Sequence, residues 1–281
     1  MTPRPRLIVG NWKMHKTIPE AVGLVEQLAK HLRREPAAPG PPPAQLEIVV
    51  APPFTALAAV ASTLATHGLL VGTEGGTSRP GPPSVELAAQ DMHWEDAGAY
   101  TGEVSPLMLK DLGCRYVIVG HSERRRYFGE TDATVRKKVL AALRHGLRPI
   151  LCVGETWDQR TRNQTESVLA AQLTEALTGV DKDQGTEVVI AYEPIWAIGS
   201  GHPATPPQAR EAHRHIRARI TALWGQETGE RVPILYGGSV TAENIGELLA
   251  IRDVDGALVG GACLDPAQFA RILVVAGSAT A

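Results

Sequence analysis

Eight short aliphatic runs, each followed by a stretch of helical periodicity, constrain this chain more than any other feature. The runs are Leu7-Ile8-Val9-Gly10, Glu47-Ile48-Val49-Val50-Ala51, Glu86-Leu87-Ala88-Ala89-Gln90 and Tyr116-Val117-Ile118-Val119-Gly120. Four more follow: Pro149-Ile150-Leu151-Cys152-Val153, Val188-Val189-Ile190-Ala191-Tyr192, Pro233-Ile234-Leu235-Tyr236 and Gly256-Ala257-Leu258-Val259-Gly260. Each is continuous rather than alternating, which is the pattern of strands covered on both faces in a parallel sheet. Helical spacing appears at about 19–34, 55–66, 105–112, 134–144, 166–177, 207–223, 242–250 and 265–274. In the clearest case Val135, Val139, Leu140 and Leu143 share one face, with Arg136, Lys137 and Lys138 elsewhere. Thr17, Thr205 and Thr241 stand where a helix would take its cap.

An alternating β/α chain makes a parallel sheet with right-handed crossovers. Eight units in 281 residues fit one closed (β/α)8 barrel. The open doubly wound alternative lacks its glycine fingerprint, because Asn11-Trp12-Lys13 follows the first run. A single domain over 1–281 is expected, with the barrel at about 7–275 and a fraying tail at 276–281. The Pro- and Gly-rich stretches 35–45 and 72–84 read as loops on the N-terminal face, away from any site.

Composition removes several function classes. A net charge of −2 gives no general basic field for nucleic acid. No apolar run approaches the ~20 residues that cross a bilayer, and Leu7-Ile8-Val9-Gly10 is too short for a secretion signal. Cys114, Cys152 and Cys263 are widely spaced and odd in number, which fits a reducing cytoplasm better than a disulfide framework or a zinc site.

In such a barrel the site forms at the C-terminal ends of the strands. Asn11 and Lys13 follow the first run, His121, Ser122 and Glu123 the fourth, and Glu193 the sixth. Gly237, Gly238 and Ser239 follow the seventh, and Gly260 and Gly261 the eighth. Taken singly, each has an ordinary structural use. Taken together, they put a carboxylate, an imidazole, an ammonium and two glycine turns on one rim. Glycine lets backbone N–H groups approach an anion closely, so a phosphorylated ligand is expected.

Asn11-Trp12-Lys13-Met14, Gly120-His121-Ser122-Glu123-Arg124-Arg125, Ala191-Tyr192-Glu193-Pro194-Ile195-Trp196-Ala197-Ile198-Gly199 and Tyr236-Gly237-Gly238-Ser239-Val240 resemble the triosephosphate isomerase family. Thr101-Gly102-Glu103-Val104-Ser105-Pro106, Cys152-Val153-Gly154-Glu155 and Leu258-Val259-Gly260-Gly261 do so as well, and all occur in the family's order. The resemblance implies a TIM barrel and an aldose–ketose isomerase of glycolysis and gluconeogenesis. It would interconvert dihydroxyacetone phosphate and D-glyceraldehyde 3-phosphate through an enediolate.

By the same resemblance Glu193 is the base and His121 a neutral imidazole electrophile. Lys13 and Asn11 stabilise the developing charge, and Ser122 and Glu123 back these groups. Asn11, Lys13, Gly199, Ser239, Gly260 and Gly261 hold the substrate and its phosphate. A lid runs from Pro194 to Gly201. Tyr236 and Ser239 latch it when closed, and Glu155 partners Trp196 when it is open. The reaction needs no metal, flavin, nicotinamide or pyridoxal cofactor. A loop at 101–106 reaches into a second subunit, where Thr101 packs near the active site and Glu103 and Arg124 form a cross-subunit ion pair, giving a homodimer.

Four departures from the family pattern stand out. His202-Pro203 occupies the lid's second hinge in place of Lys-Thr, and Pro fixes φ there. Asp91 replaces Asn at the root of the dimer loop and adds a negative charge near the interface. Cys263 replaces a serine after the phosphate-binding glycines, and the loop before the third strand is longer than usual. They keep open an isomerase of a four-carbon sugar phosphate, of the L-erythrulose 1-phosphate kind. A catalytically silent sugar-phosphate-binding barrel is a third reading. The retained Glu193, His121 and Lys13 speak against it, since a binder needs no general base.

Overall fold

The eight aliphatic runs become the staves of one closed barrel. The computed structural model describes residues 4–34, 46–70, 84–198 and 203–278. The strands are β1 (Arg6–Asn11), β2 (Leu46–Ala51), β3 (Val85–Ala89), β4 (Cys114–Val119), β5 (Arg148–Val153), β6 (Val189–Tyr192), β7 (Ile234–Tyr236) and β8 (Gly256–Val259). They pair in sequence order, all parallel, and β1 closes the ring against β8 with Val9 opposite Leu258.

Closure explains why the runs are continuous. Leu7, Val9, Val49, Ala51, Ala88, Tyr116, Ile118, Ile150, Cys152, Val189, Ala191, Leu235 and Leu258 form one apolar cluster inside the barrel. Their alternating neighbours, such as Ile8, Ile48, Val50, Leu87, Val117, Leu151 and Ile190, pack outward against the helices in a second, larger cluster. Neither face of a strand's middle meets water, so the charged strand residues stand toward the ends. Polar groups seal the N-terminal mouth. The Tyr116 hydroxyl donates to Glu47 at 2.5 Å, and Arg115 donates to Glu86 at 2.8 Å.

The helices are α1 (Ile18–Arg34), α2 (Leu57–Thr66), α3 (Pro106–Asp111), α4 (Ser122–Tyr127), α5 (Asp132–Arg144) and α6 (Trp157–Thr161). The rest are α7 (Thr165–Leu177), α8 (Pro206–Trp224), α9 (Gln226–Gly229), α10 (Ile245–Leu249) and α11 (Pro266–Ser278). The eight segments expected from periodicity are present, and α4, α6 and α9 are additional. Lys138, placed off the apolar face by its spacing, is instead 5% exposed, because two carboxylates meet it there. Of the tail, residues 279–281 lie outside the described residues, while α11 runs on to Ser278 and Ala276 is fully buried. Its carbonyl accepts a 2.7 Å hydrogen bond from Arg6 on β1, which ties down the last turn.

Almost all of both Pro- and Gly-rich stretches, and His202 of the lid hinge, lie outside the described residues. No helix among the described residues is long and apolar enough to cross a membrane.

Candidate active site

The C-terminal mouth is built from the residues that follow β1, β4, β6, β7 and β8. Glu193 leaves β6 with its N–H donated to the Val153 carbonyl at 2.8 Å. The neighbouring Gly154 has no substitute, since a Cβ there would lie 1.7 Å from the Glu193 carbonyl oxygen. The Glu193 side chain is 2% exposed. One carboxylate oxygen accepts from the Ser122 backbone N–H at 2.9 Å and the other from the Ser122 hydroxyl at 3.1 Å. Nε2 of His121 stands 3.1 Å from that second oxygen.

His121 caps α4. The backbone N–H of Glu123, in the first turn of the helix, donates to His121 Nδ1 at 3.2 Å. The ring therefore accepts at Nδ1 and carries its proton on Nε2, the nitrogen that faces Glu193. An imidazole held this way offers an N–H toward the interior of the mouth.

Lys13 has φ +53°, a left-handed conformation that costs a non-glycine residue ~1–3 kcal/mol. Three contacts hold it there. Its N–H donates to Asn11 Oδ1 at 3.0 Å, and its carbonyl accepts from the Gln90 amide at 2.8 Å. Its ammonium lies 2.6 Å from Glu123 Oε1. The lysine stem passes along Gly260, where a Cβ would sit 3.4 Å from Lys13 Cε. A 3-10 turn, Gly261–Leu264, begins at Gly261. Asn11, Lys13, His121, Ser122, Glu123 and Glu193 thus form one linked set beside the β8 glycines.

The lid residues that are described make a second group. Trp196 Nε1 donates to Glu155 Oε1 at 3.0 Å, and the Tyr192 hydroxyl donates to the same oxygen at 3.1 Å. The Ser239 hydroxyl donates to the Ala197 carbonyl at 2.8 Å, and the Tyr236 hydroxyl accepts from the Ala204 N–H at 3.0 Å. Pro194 is buried between these groups and Glu193. Gly199 and Gly201 lie outside the described residues.

Two expected departures look different in place. Cys263 does not face the mouth. It is buried, its Sγ lies 3.5 Å from the Asn11 carbonyl, and burial pushes its thiol up to about 12. Asp91 is 5% exposed and bound within its own chain rather than set out at the surface. Among the interface candidates, Thr101 and Glu103 are exposed, while Arg124 Nε lies 2.8 Å from Asp91.

Sequence reasoning passed over Gln90, Tyr192 and Arg160. Gln90 ends the third aliphatic run, so the strand-end rule that found Lys13 and Glu193 applies to it equally. Tyr192 and Arg160 both meet Glu155, the latter at 3.2 Å, and no local pattern marks them.

A carboxylate can take a proton from a carbon beside a carbonyl only if the carbonyl oxygen is stabilised in the same step. Here an imidazole nitrogen stands 3.1 Å from the carboxylate and an ammonium belongs to the same linked set at the mouth of a (β/α)8 barrel, the groups that an isomerase acting by proton transfer requires. Residues 6–276 match the family model for triosephosphate isomerase, and the chain belongs to that family. It is 52% identical over 267 residues to the triosephosphate isomerase of Chloroflexus aurantiacus, covering 95% of this chain and 97% of the relative. It is 50% identical to those of Thermoanaerobacter sp. strain X514 and Moorella thermoacetica, each over 96% of this chain and at least 98% of the relative.

Proposed function

We propose that the protein interconverts dihydroxyacetone phosphate and D-glyceraldehyde 3-phosphate by Glu193-mediated proton transfer. The reading rests above all on one observation, the 3.1 Å approach of the His121 Nε2 to the Glu193 carboxylate. Once Glu193 swings off Ser122 and His121, a three-carbon substrate meets a base on one side and an N–H donor on the other. Glu193 takes the proton from the carbon beside the carbonyl, His121 and Lys13 stabilise the oxygen as it gains charge, and the proton returns to the neighbouring carbon. Glu193 must first leave Ser122. It is joined directly to Pro194, so closure of the lid would carry it and exclude water, which strengthens the base. The β7 and β8 glycines and Ser239 would hold the phosphate.

The four-carbon reading loses two of its supports, because Cys263 packs under β1 and Asp91 is paired inside the fold. Assay of the purified protein with both substrates decides between them. Triose turnover far above tetrulose turnover is expected, and the reverse result overturns the proposal.

The active unit is proposed to be a homodimer. Met14, Tyr100, Leu107, Met108, Tyr127 and Phe128 are large apolar side chains left exposed in one chain, with Met14 at 94%. Beside Lys13, a hollow of about 500 Å³ lined by Met14, His15, Lys16, Thr17 and Pro53 could seat the partner's 101–106 loop. Three free, buried cysteines fit a cytoplasmic location.

A further inference from the structure

We infer that Asp91 is a positioning residue for the catalytic turn Gly120–His121, acting through a buried ionic chain closed within one subunit. The inference rests on the proposed roles of His121 and Lys13 and concerns how they are held.

The turn begins where β4 stops pairing. Gly120 has φ +72°, and its N–H is left without a ladder partner. Glu130 Oε2 accepts that N–H at 3.0 Å. Glu130's other oxygen binds Lys138, whose ammonium is also 2.6 Å from Asp91 Oδ1. Asp91 Oδ2 lies 2.8 Å from Nε of Arg124. Arg124 belongs to α4, and its own N–H donates to the His121 carbonyl at 2.9 Å. Asp91 therefore reaches both sides of His121, one through Lys138 and Glu130 and the other through Arg124.

Charge balance explains why an aspartate fits this position. Asp91, Glu130 and Lys138 have side chains 7% exposed or less, and Arg124 closes the set. Two anions face two cations. Removing Asp91 leaves Lys138 with Glu130 alone to satisfy it. That draws the carboxylate from the Gly120 N–H and frees Arg124. The preceding residue works in parallel, since Gln90 Nε2 donates to the Lys13 carbonyl and to the Ala51 carbonyl, each at 2.8 Å. The Gln90-Asp91 pair at the end of β3 thus holds the Lys13 backbone with one side chain and the imidazole turn with the next. Asp91, which looked in the sequence like a loose interface charge, completes the support of the site from within the subunit.

The test is Asp91→Asn, assayed well below its unfolding midpoint. The expected result is a fall in kcat of about tenfold or more per folded site with KM nearly unchanged, as loss of geometry implies. Hydrogen exchange at the Gly120 amide should accelerate, and Asp91→Glu should recover part of the kcat. A purely structural Asp91 would lower the melting temperature and leave kcat and Gly120 exchange at wild-type values, and that result overturns the inference. Should Asp91→Asn not fold, Lys138→Met takes its place, since it cuts the link from Asp91 to Glu130, and wild-type kcat with wild-type Gly120 exchange in it is equally fatal. A wild-type protein that does not isomerise triose phosphate would sink the functional proposal instead, while Gly120 exchange would still report on the network.

Discussion

At the scale of single residues, the proposed base and ammonium are each held by a protein partner. Glu193 rests on Ser122, and Lys13 rests on Glu123. On the proposed mechanism each exchanges a protein partner for substrate, so side-chain length and charge set the rate. Glu193→Asp draws the carboxylate back by one methylene. It should cut kcat by about 100-fold and change KM far less in a coupled assay, in line with the cost of a ~1 Å misplacement. A variant with wild-type kcat would remove Glu193 from its role. Lys13→Met should lose about 3 kcal/mol in kcat/KM, comparable with loss of an oxyanion donor; near-normal turnover would contradict the electrostatic role. These residues were legible because strand ends converge on one mouth, whatever the loops do. Asp91, Glu130 and Lys138 were not. Each is an ordinary charge in its own segment, and their meaning lies in contacts across tens of residues.

At the scale of elements, apolar spacing recovers the helices that bury aliphatic side chains. α4, α6 and α9 have 6, 5 and 4 residues and bury none, whereas the equally short α3 and α10 bury Leu109 and Ile245, Leu248 and Leu249. α5 begins two residues before its periodic stretch because of its cap. Thr134 N–H donates to the Thr131 hydroxyl at 3.2 Å, and Thr131 N–H donates back to the Thr134 hydroxyl at 2.9 Å. Thr131→Ala removes half of this reciprocal pair and should lower stability by about 1 kcal/mol in urea unfolding. An unchanged midpoint would show that the cap contributes nothing to α5. The helix signal in the sequence came from side chains facing the sheet, whereas the start of the helix is set by backbone donors, which apolar spacing does not record.

At the scale of the whole molecule, the count of eight alternating units was enough to read the barrel. The packing between its layers was not readable, and it contains a pH liability. His213 on α8 is fully buried and packs edge-on against Tyr192, with ring centroids 5.7 Å apart. Its Nδ1 faces the Asp253 carbonyl at 2.9 Å, and its Nε2 has no hydrogen-bond partner among the described residues. Burial pushes this imidazole down from 6.5 to about 4. The folded protein therefore binds fewer protons than the unfolded chain between those values, and stability falls as pH drops from 6.5 toward 4. The loss integrates to about 3 kcal/mol. Urea unfolding across that range should show the decline in the wild type and a shallower one in His213→Gln. Equal slopes would clear His213 of the effect.

The pairing of β1 with β8 also governs how the molecule comes into being. On a ribosome the first stave emerges more than two hundred residues before its last neighbour. Until β8 emerges, the growing sheet has two unsatisfied borders, each able to capture a stray strand. The mature molecule has no such border, so the danger is confined to birth. Chaperone demand should accordingly peak just before the final stave leaves the exit tunnel.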